Sequence, residues 1–166
     1  EIPQGWEWSR MGSIGDWGAG ATPAKGNTSY YGGNILWLRT GELNNSIVND
    51  TEIKITDKAL KECSLRLNKA GDVLIAMYGG FNQIGRTGLL TYPATINQAL
   101  ASLLPVKEIN SYFLLNYLNL RKDSWRNVAA SSRKDPNITK NDVEKFKISF
   151  PSTFAFLDSL DKISSN

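Results

Sequence analysis

Gly79-Gly80-Phe81-Asn82-Gln83-Ile84-Gly85-Arg86 places two carboxamides, a guanidinium and an aromatic ring within eight residues. A carboxamide donates and accepts at once, so Asn82 and Gln83 can each pair with the two-sided edge of adenine. Arg86 can present parallel N–H groups to guanine or hold a phosphate. Tyr78 and Phe81 can pack on sugars or bases, and the paired glycines permit close backbone approach to a partner. The same residues also suit a polar hairpin loop with ordinary turn chemistry. Asn97-Gln98, between two apolar runs, can reach bases or satisfy backbone groups within the fold. Arg39 and Thr40 follow an apolar run, where a rigid scaffold would hold them exposed. Lys25, Lys122, Arg126, Arg133 and Lys134 suit backbone phosphates better than bases. Thr22 and Ser132, in the loops of Lys25 and Arg133, complete the candidate set for nucleic-acid contact.

Enzyme chemistry has thinner support. The chain has no His, which removes Ser-His-Asp, Cys-His and His-ligated zinc arrangements. Cys63 is the only cysteine. It excludes an internal disulfide and reads as a small buried apolar residue, so a reducing cytoplasm is the expected compartment. Gly15, Gly18 and Gly20 fail the spacing of a phosphate loop, and no Gly-Lys-Ser/Thr occurs. Asp135-Pro136-Asn137-Ile138 lacks the aromatic with which an amino-methyltransferase stacks on an extruded base. Glu52-Ile53-Lys54 matches half of a metal-dependent nuclease signature. That chemistry needs a second carboxylate on a shared divalent metal; Asp50 is too close along the chain, which leaves Asp72. We expect no catalytic and no metal site. The alternatives are a small metal-dependent nuclease on Glu52 and Lys54, or a protein-interaction module without nucleic-acid binding.

Charge is unevenly spread. The 166 residues carry a formal net charge of +3. Residues 121–147 hold eight basic side chains against four acidic ones, so the rest of the chain sums to −1. A basic C-terminal third suits phosphate contact, and equally a solvated helix face. The 41% apolar content and 21% charged content fit one globular domain. No apolar run approaches the length that spans a bilayer, so no membrane association is expected.

These side chains need a scaffold. Alternation predicts a strand over Asn34–Thr40, with another over Thr51–Ile55. Thr56 is placed to cap a short helix reaching Leu60 or Cys63. Gly71-Asp72 reads as a turn into a β-branched strand, Val73–Met77, which Gly79-Gly80 ends. Ile84–Leu90 and Ala99–Leu104 read as further strands, and residues 15–33 as loop. Asn110 or Ser111 caps the longest helix, running to about Lys122, with Leu114, Tyr117, Leu118 and Arg121 at helical spacing. Ser124–Ala129 continues it after a bend, and Ser131–Pro136 is a polar basic loop. Thr139 or Asn141 caps a short helix through Lys145, Ile148–Phe150 is a strand, and Phe154–Ile163 starts a last helix. Trp17, Trp37 and Trp125 read as core or interface packing. The result is an α+β chain, strand-rich in the middle, with a long helix and short helices in its C-terminal half.

Several phrases stand in a fixed order: Pro3-Gln4-Gly5-Trp6, Gly20-Ala21-Thr22-Pro23, Tyr31-Gly32-Gly33-Asn34-Ile35-Leu36-Trp37, Gly71-Asp72-Val73-Leu74, Ile84-Gly85-Arg86, Asn97-Gln98, Ile138-Thr139-Lys140-Asn141-Asp142 and Pro151. Each is weak alone. Their shared order, over nearly the whole chain, resembles the target recognition domain of a type I restriction-modification specificity subunit. One departure is Ala130-Ser131-Ser132, where that family often carries Gly-Ser/Thr. Another is that a full specificity subunit holds two recognition domains separated by long helices, and this chain holds one.

The resemblance implies a DNA target recognition domain over residues 1–151 and the start of a spacer helix over 152–166. It implies a non-catalytic, sequence-specific reader of one short half-site in double-stranded DNA. Its partners would be methyltransferase (modification) subunits, a restriction/translocase subunit and a second half-subunit. S-adenosylmethionine, ATP and Mg would belong to those partners, leaving this chain without a cofactor of its own.

Overall fold

The computed structural model describes residues 1–129 and 136–152. Three sheets and four α-helices form the described fold. A five-stranded sheet takes the order β2 (Gly15–Ala19), β9 (Leu100–Pro105), β6 (Val73–Ala76), β7 (Thr87–Leu90), β4 (Ser46–Val48). All its neighbours are antiparallel except the parallel β7–β4 pair. A three-stranded sheet runs β5 (Lys54–Ile55), β3 (Tyr31–Leu38), β8 (Ala94–Ile96), with β3 and β8 parallel. β1 (Trp6–Arg10) pairs antiparallel with β10 (Lys147–Pro151).

Strand β6 shows why the layers stack as they do. All four of its side chains are buried, so it needs apolar cover on both faces. Val73 and Ile75 join the core formed with Leu114 and Leu118 of α2 (Ser111–Leu120), Trp125 of α3 (Ser124–Ala129) and Val143 of α4 (Lys140–Lys145). Leu74 and Ala76 face Leu38, Ala94 and Ile96 of the three-stranded sheet. Burying each large aliphatic side chain contributes about 1.5–3 kcal/mol. The outer side of the small sheet is closed by α1 (Asp57–Glu62), where Trp37, Ile55, Ala59 and Leu65 cluster.

The expected caps are in place. Thr56 accepts from Ala59 N–H, Asn110 from Tyr112 and Phe113, and Thr139 from Asp142. Each satisfies backbone donors left free at a helix start. Helix α2 ends at Leu120, short of Lys122. The three tryptophans pack as expected: Trp37 and Trp125 are buried, and Trp17 lies partly buried against the larger core.

Glycine-rich composition misleads at residues 15–19, expected as loop and found as β2. A Cβ at Gly15 would stand 2.1 Å from the Leu104 carbonyl oxygen, so only glycine lets β2 approach β9 this closely. The strand expected over Ile84–Leu90 begins at Thr87, because Ile84, Gly85 and Arg86 close a loop instead. The strand expected over Thr51–Ile55 shortens to Lys54–Ile55. β4 and β8, of three residues each, are too short to show alternation in the sequence. The basic loop and the helix expected at Phe154–Ile163 lie outside the described residues, apart from Pro136. No helix among the described residues is long and apolar enough to cross a membrane.

Candidate nucleic-acid interface

Strand directions gather the candidate residues. β2, β3, β6 and β8 all finish at one end of the fold, where β4, β7 and β9 begin. The segments leaving those termini carry Thr22 and Lys25, Arg39 and Thr40, Tyr78 through Arg86, and Asn97-Gln98. All eleven described candidates therefore sit at the same end; Ser132, Arg133 and Lys134 lie outside the described residues. Helix α2 starts at the far end, where Ser111 bonds the Gly71 carbonyl, and finishes at this one, bringing Arg121 and Lys122 along.

The turn between β8 and β9 joins the loops. Asn97 N–H donates to Leu38 O at 2.9 Å, and Ala21 N–H donates to Ile96 O at 3.0 Å. On its other side Met77 N–H donates to Ala99 O at 2.8 Å. Asn97 Oδ1 accepts from Ala99 N–H, so this carboxamide shapes its own turn. Thr22 Oγ1 donates to Gln98 Oε1 and links the first loop to the same turn.

Thr22, Lys25, Arg39, Asn97 and Gln98 line one cleft of about 380 Å³, with Tyr31, Trp37 and Ile53. Its aromatic members brace the loop above them. Tyr31 Oη donates to Pro23 O at 2.7 Å, and Trp37 Nε1 donates to Ala21 O at 3.1 Å. Burial pushes the Tyr31 phenol above its ordinary pKa, which keeps it a donor. Arg39 is held from two sides. Its guanidinium meets Glu52 at 2.7 Å and Glu42 at 3.5 Å, and its N–H donates to Glu42. Glu42 also accepts from Thr51 Oγ1 and Glu52 N–H. Glu52 is thus committed to Arg39, and Lys54 pairs with Asp50 at 3.1 Å. The nuclease reading of Glu52-Ile53-Lys54 finds no support in this arrangement. Among the described residues no three acidic or thiol side chains are placed to hold a metal.

The β6–β7 loop is built differently. Ala76 and Arg86 close its base, with Ala76 N–H to Arg86 O at 2.8 Å and Gly85 N–H to Ala76 O at 2.9 Å. Gln83 and Ile84 N–H both donate to Gly80 O at 3.0 Å. Gly79, Gly80 and Gly85 hold φ of 116°, 76° and 75°, which side-chain-bearing residues rarely adopt. Ile84 plugs into the core, and a Cβ at Gly85 would stand 2.4 Å from Trp125 Cδ1. Arg86 Nε donates to Asn82 O at 3.1 Å. Gln83 folds against Gly79, and its Oε1 is buried with no hydrogen-bond partner among the described residues. Asn82 stands exposed at the tip, with Phe81 44% exposed and Tyr78 38% exposed beside it.

Three residues that matter here escape sequence reasoning. Asn119 Nδ2 donates to Asn45 O at 2.8 Å, and Thr87 Oγ1 donates to Asn119 Oδ1. Asn45, at φ 61°, accepts from Thr87 N–H through its own Oδ1. This triangle pins the C-terminal end of α2 to the loop end of the sheet. The Asn44-Asn45-Ser46 turn is visible in the sequence; its partner 74 residues away is not.

A family model for the type I restriction modification DNA specificity domain matches residues 3–164. The MjaIX type I restriction enzyme specificity subunit of Methanocaldococcus jannaschii is 32% identical over 117 residues, 69% of this chain and 26% of that protein. The EcoR124I/EcoR124II specificity subunit of Escherichia coli is 26% identical over 148 residues, 87% of this chain and 37% of that one. Among solved structures, the HsdS subunit from Thermoanaerobacter tengcongensis has a TM-score of 0.68 at 23% identity, covering 99% of this chain and 39% of that one. A chain from a type I R-M system, solved for its complex assembly and conformational transition, reaches 0.70 at 23%, covering 99% and 40%. The structural likenesses carry the mixed, strand-rich α+β fold. The chain spans between about a quarter and two fifths of the length of these relatives. By the match across nearly its whole length and the 32% identity to a curated subunit, this chain belongs to the type I restriction modification DNA specificity domain family.

Proposed function

We propose that this chain is a non-catalytic, sequence-specific DNA recognition domain that reads one short half-site in duplex DNA. The observation that carries the reading is the gathering of four separate polar and cationic segments at one end of the fold. Asn82, with Arg86 close by, supplies base-edge or groove contacts, Gln83 braces the loop against Gly79, and Lys25 and the cations after α2 fix the register on phosphates. Arg133 and Lys134 hold the backbone. We assign the recognition domain to residues 1–151 and the start of the spacer to residues 152–166, with a second half-subunit as a further partner. Modification subunits, using S-adenosylmethionine, and a restriction/translocase subunit, using ATP and Mg, perform the chemistry on the DNA so held. The cell's cytoplasm, where that DNA lies, is the working compartment.

The test is enrichment of duplexes from a randomised library on the chain at low salt, followed by competition. Each mismatch in the enriched site is expected to weaken binding by roughly tenfold. Equal binding to enriched and unselected duplexes defeats the reading. Arg133→Ala with Lys134→Ala is expected to weaken binding to every sequence and to reduce the salt slope by about two. An unchanged slope removes both residues from the interface.

A further inference from the structure

We propose that Phe81 is a wedge that enters the DNA base stack and partly unstacks one step of the half-site. The proposal rests on the DNA-recognition reading above and adds to it a deformation of the duplex, assigned to one residue.

Phe81 is 44% exposed at a loop tip, beside the exposed Asn82 and the 38% exposed ring of Tyr78. The surrounding loop is braced as a tool would be. Ile84 is anchored in the core, Gly85 lies on the Trp125 indole, and Arg86 closes the loop through Asn82 O. Two backbone amides, those of Gln83 and Ile84, converge on Gly80 O, the residue before Phe81. The tip is therefore ordered before it meets a partner, which lowers the entropy lost on insertion. Phe81 and Tyr78 carry about 150–250 Å² of surface each, and less than half of it is exposed. That is short of the roughly 800 Å² per partner of a stable protein interface. Their neighbours are Asn82, Gln83 and Arg86, which suit base edges and phosphates and not an apolar protein face. Apolar side chains set among cationic and carboxamide groups match the chemistry of proteins that unstack and kink a duplex. Every base presents a π-face, so the ring needs no particular base. It contributes specificity through the ease of deforming the step it enters.

The experiment uses the full chain and the enriched duplex, with 2-aminopurine placed in turn at each purine of the site. Wild type is expected to raise the fluorescence at one step. Phe81→Ala is expected to abolish that rise and weaken binding roughly tenfold to a hundredfold. Phe81→Leu is expected to keep part of both, because leucine also serves as a wedge. Thermal midpoints of both variants should match wild type. A bound duplex with no rise at any step overturns the wedge and leaves DNA recognition standing. Wild-type affinity and fluorescence in Phe81→Ala, with weakened capture of the modification subunits, assigns the ring to a protein interface and overturns it as well. Failure to enrich any duplex overturns DNA recognition itself, and the wedge falls with it.

Discussion

The cleft around Arg39 and the loop from Tyr78 to Arg86 share one end of the fold but commit their side chains differently. In the cleft the side chains bind each other: Thr22 meets Gln98, and Arg39 is clasped by Glu42 and Glu52. In the loop the backbone does the bracing and the tip side chains of Phe81 and Asn82 stay exposed. A hydrogen bond already made within the protein must be broken or shared before it can be offered to a partner. The cleft is therefore a frame that fixes where loops stand, and the loop keeps side chains free, as its proposed role in reading DNA requires. The two regions meet at the Asn97–Ala99 turn, which receives bonds from both sides. A change in the frame can be felt at the reader through that turn.

The largest effect should come from the loop's anchor. Gly85→Ala forces a side chain to a φ of 75° and into the Trp125 ring. A loss of about 2–4 kcal/mol in urea denaturation is expected. Wild-type stability would mean that the loop is not seated on Trp125, and the contrast between the regions would weaken. Next comes the proposed reading edge. Asn82→Ala should leave stability within about 0.5 kcal/mol of wild type and cost about 1–3 kcal/mol in binding to the enriched duplex. Equal losses in folding and binding would move Asn82 into the frame. Thr22→Val removes the bond to Gln98 with little change of shape. A loss of about 0.5–1.5 kcal/mol in stability is expected, with a smaller change in DNA affinity. A binding loss exceeding the folding loss would make the cleft a reader too.

The smallest effect concerns the opposite end of β6. Asp72 is buried, with Oδ1 lacking a hydrogen-bond partner among the described residues, and burial raises its pKa from the ordinary 3.8. The folded chain then holds a proton that the unfolded chain releases, so this carboxyl's contribution to stability falls as pH rises from 3.8 through the raised value. Asp142 runs the other way. Bonds from Thr139 lower its pKa, so its contribution is lost as pH falls. Asp72→Asn should therefore flatten the decline on the rising-pH side, followed by thermal melts across the acidic range. DNA affinity should not change, because Asp72 precedes β6 at the end remote from the loops. A change in affinity would couple the two ends.

Local chemistry was legible wherever a few neighbouring residues decide the outcome. Thr56, Asn110 and Thr139 cap the helices they were expected to cap, because a cap depends on residues two or three positions away. Trp37 and Trp125 read correctly as packing residues, since a large apolar ring is buried in most settings. The candidate list could also be written from side-chain type, because carboxamides and guanidiniums bring their hydrogen-bonding edges wherever they go.

The tertiary structure alone decided which candidates meet and which are free. Gly15 to Ala19 reads as loop by composition, yet it is a strand because glycine permits a contact with Leu104 that no local rule contains. Asn82 and Gln83 are identical in kind and adjacent in sequence, but the fold turns one outward and presses the other against Gly79. Arg39 becomes a framework residue because Glu52, arriving 13 residues later in the bend before β5, joins Glu42 in holding it. Side-chain type and short-range spacing are properties of the chain; commitment to a partner is a property of long-range packing, and it fixes which groups remain available to act.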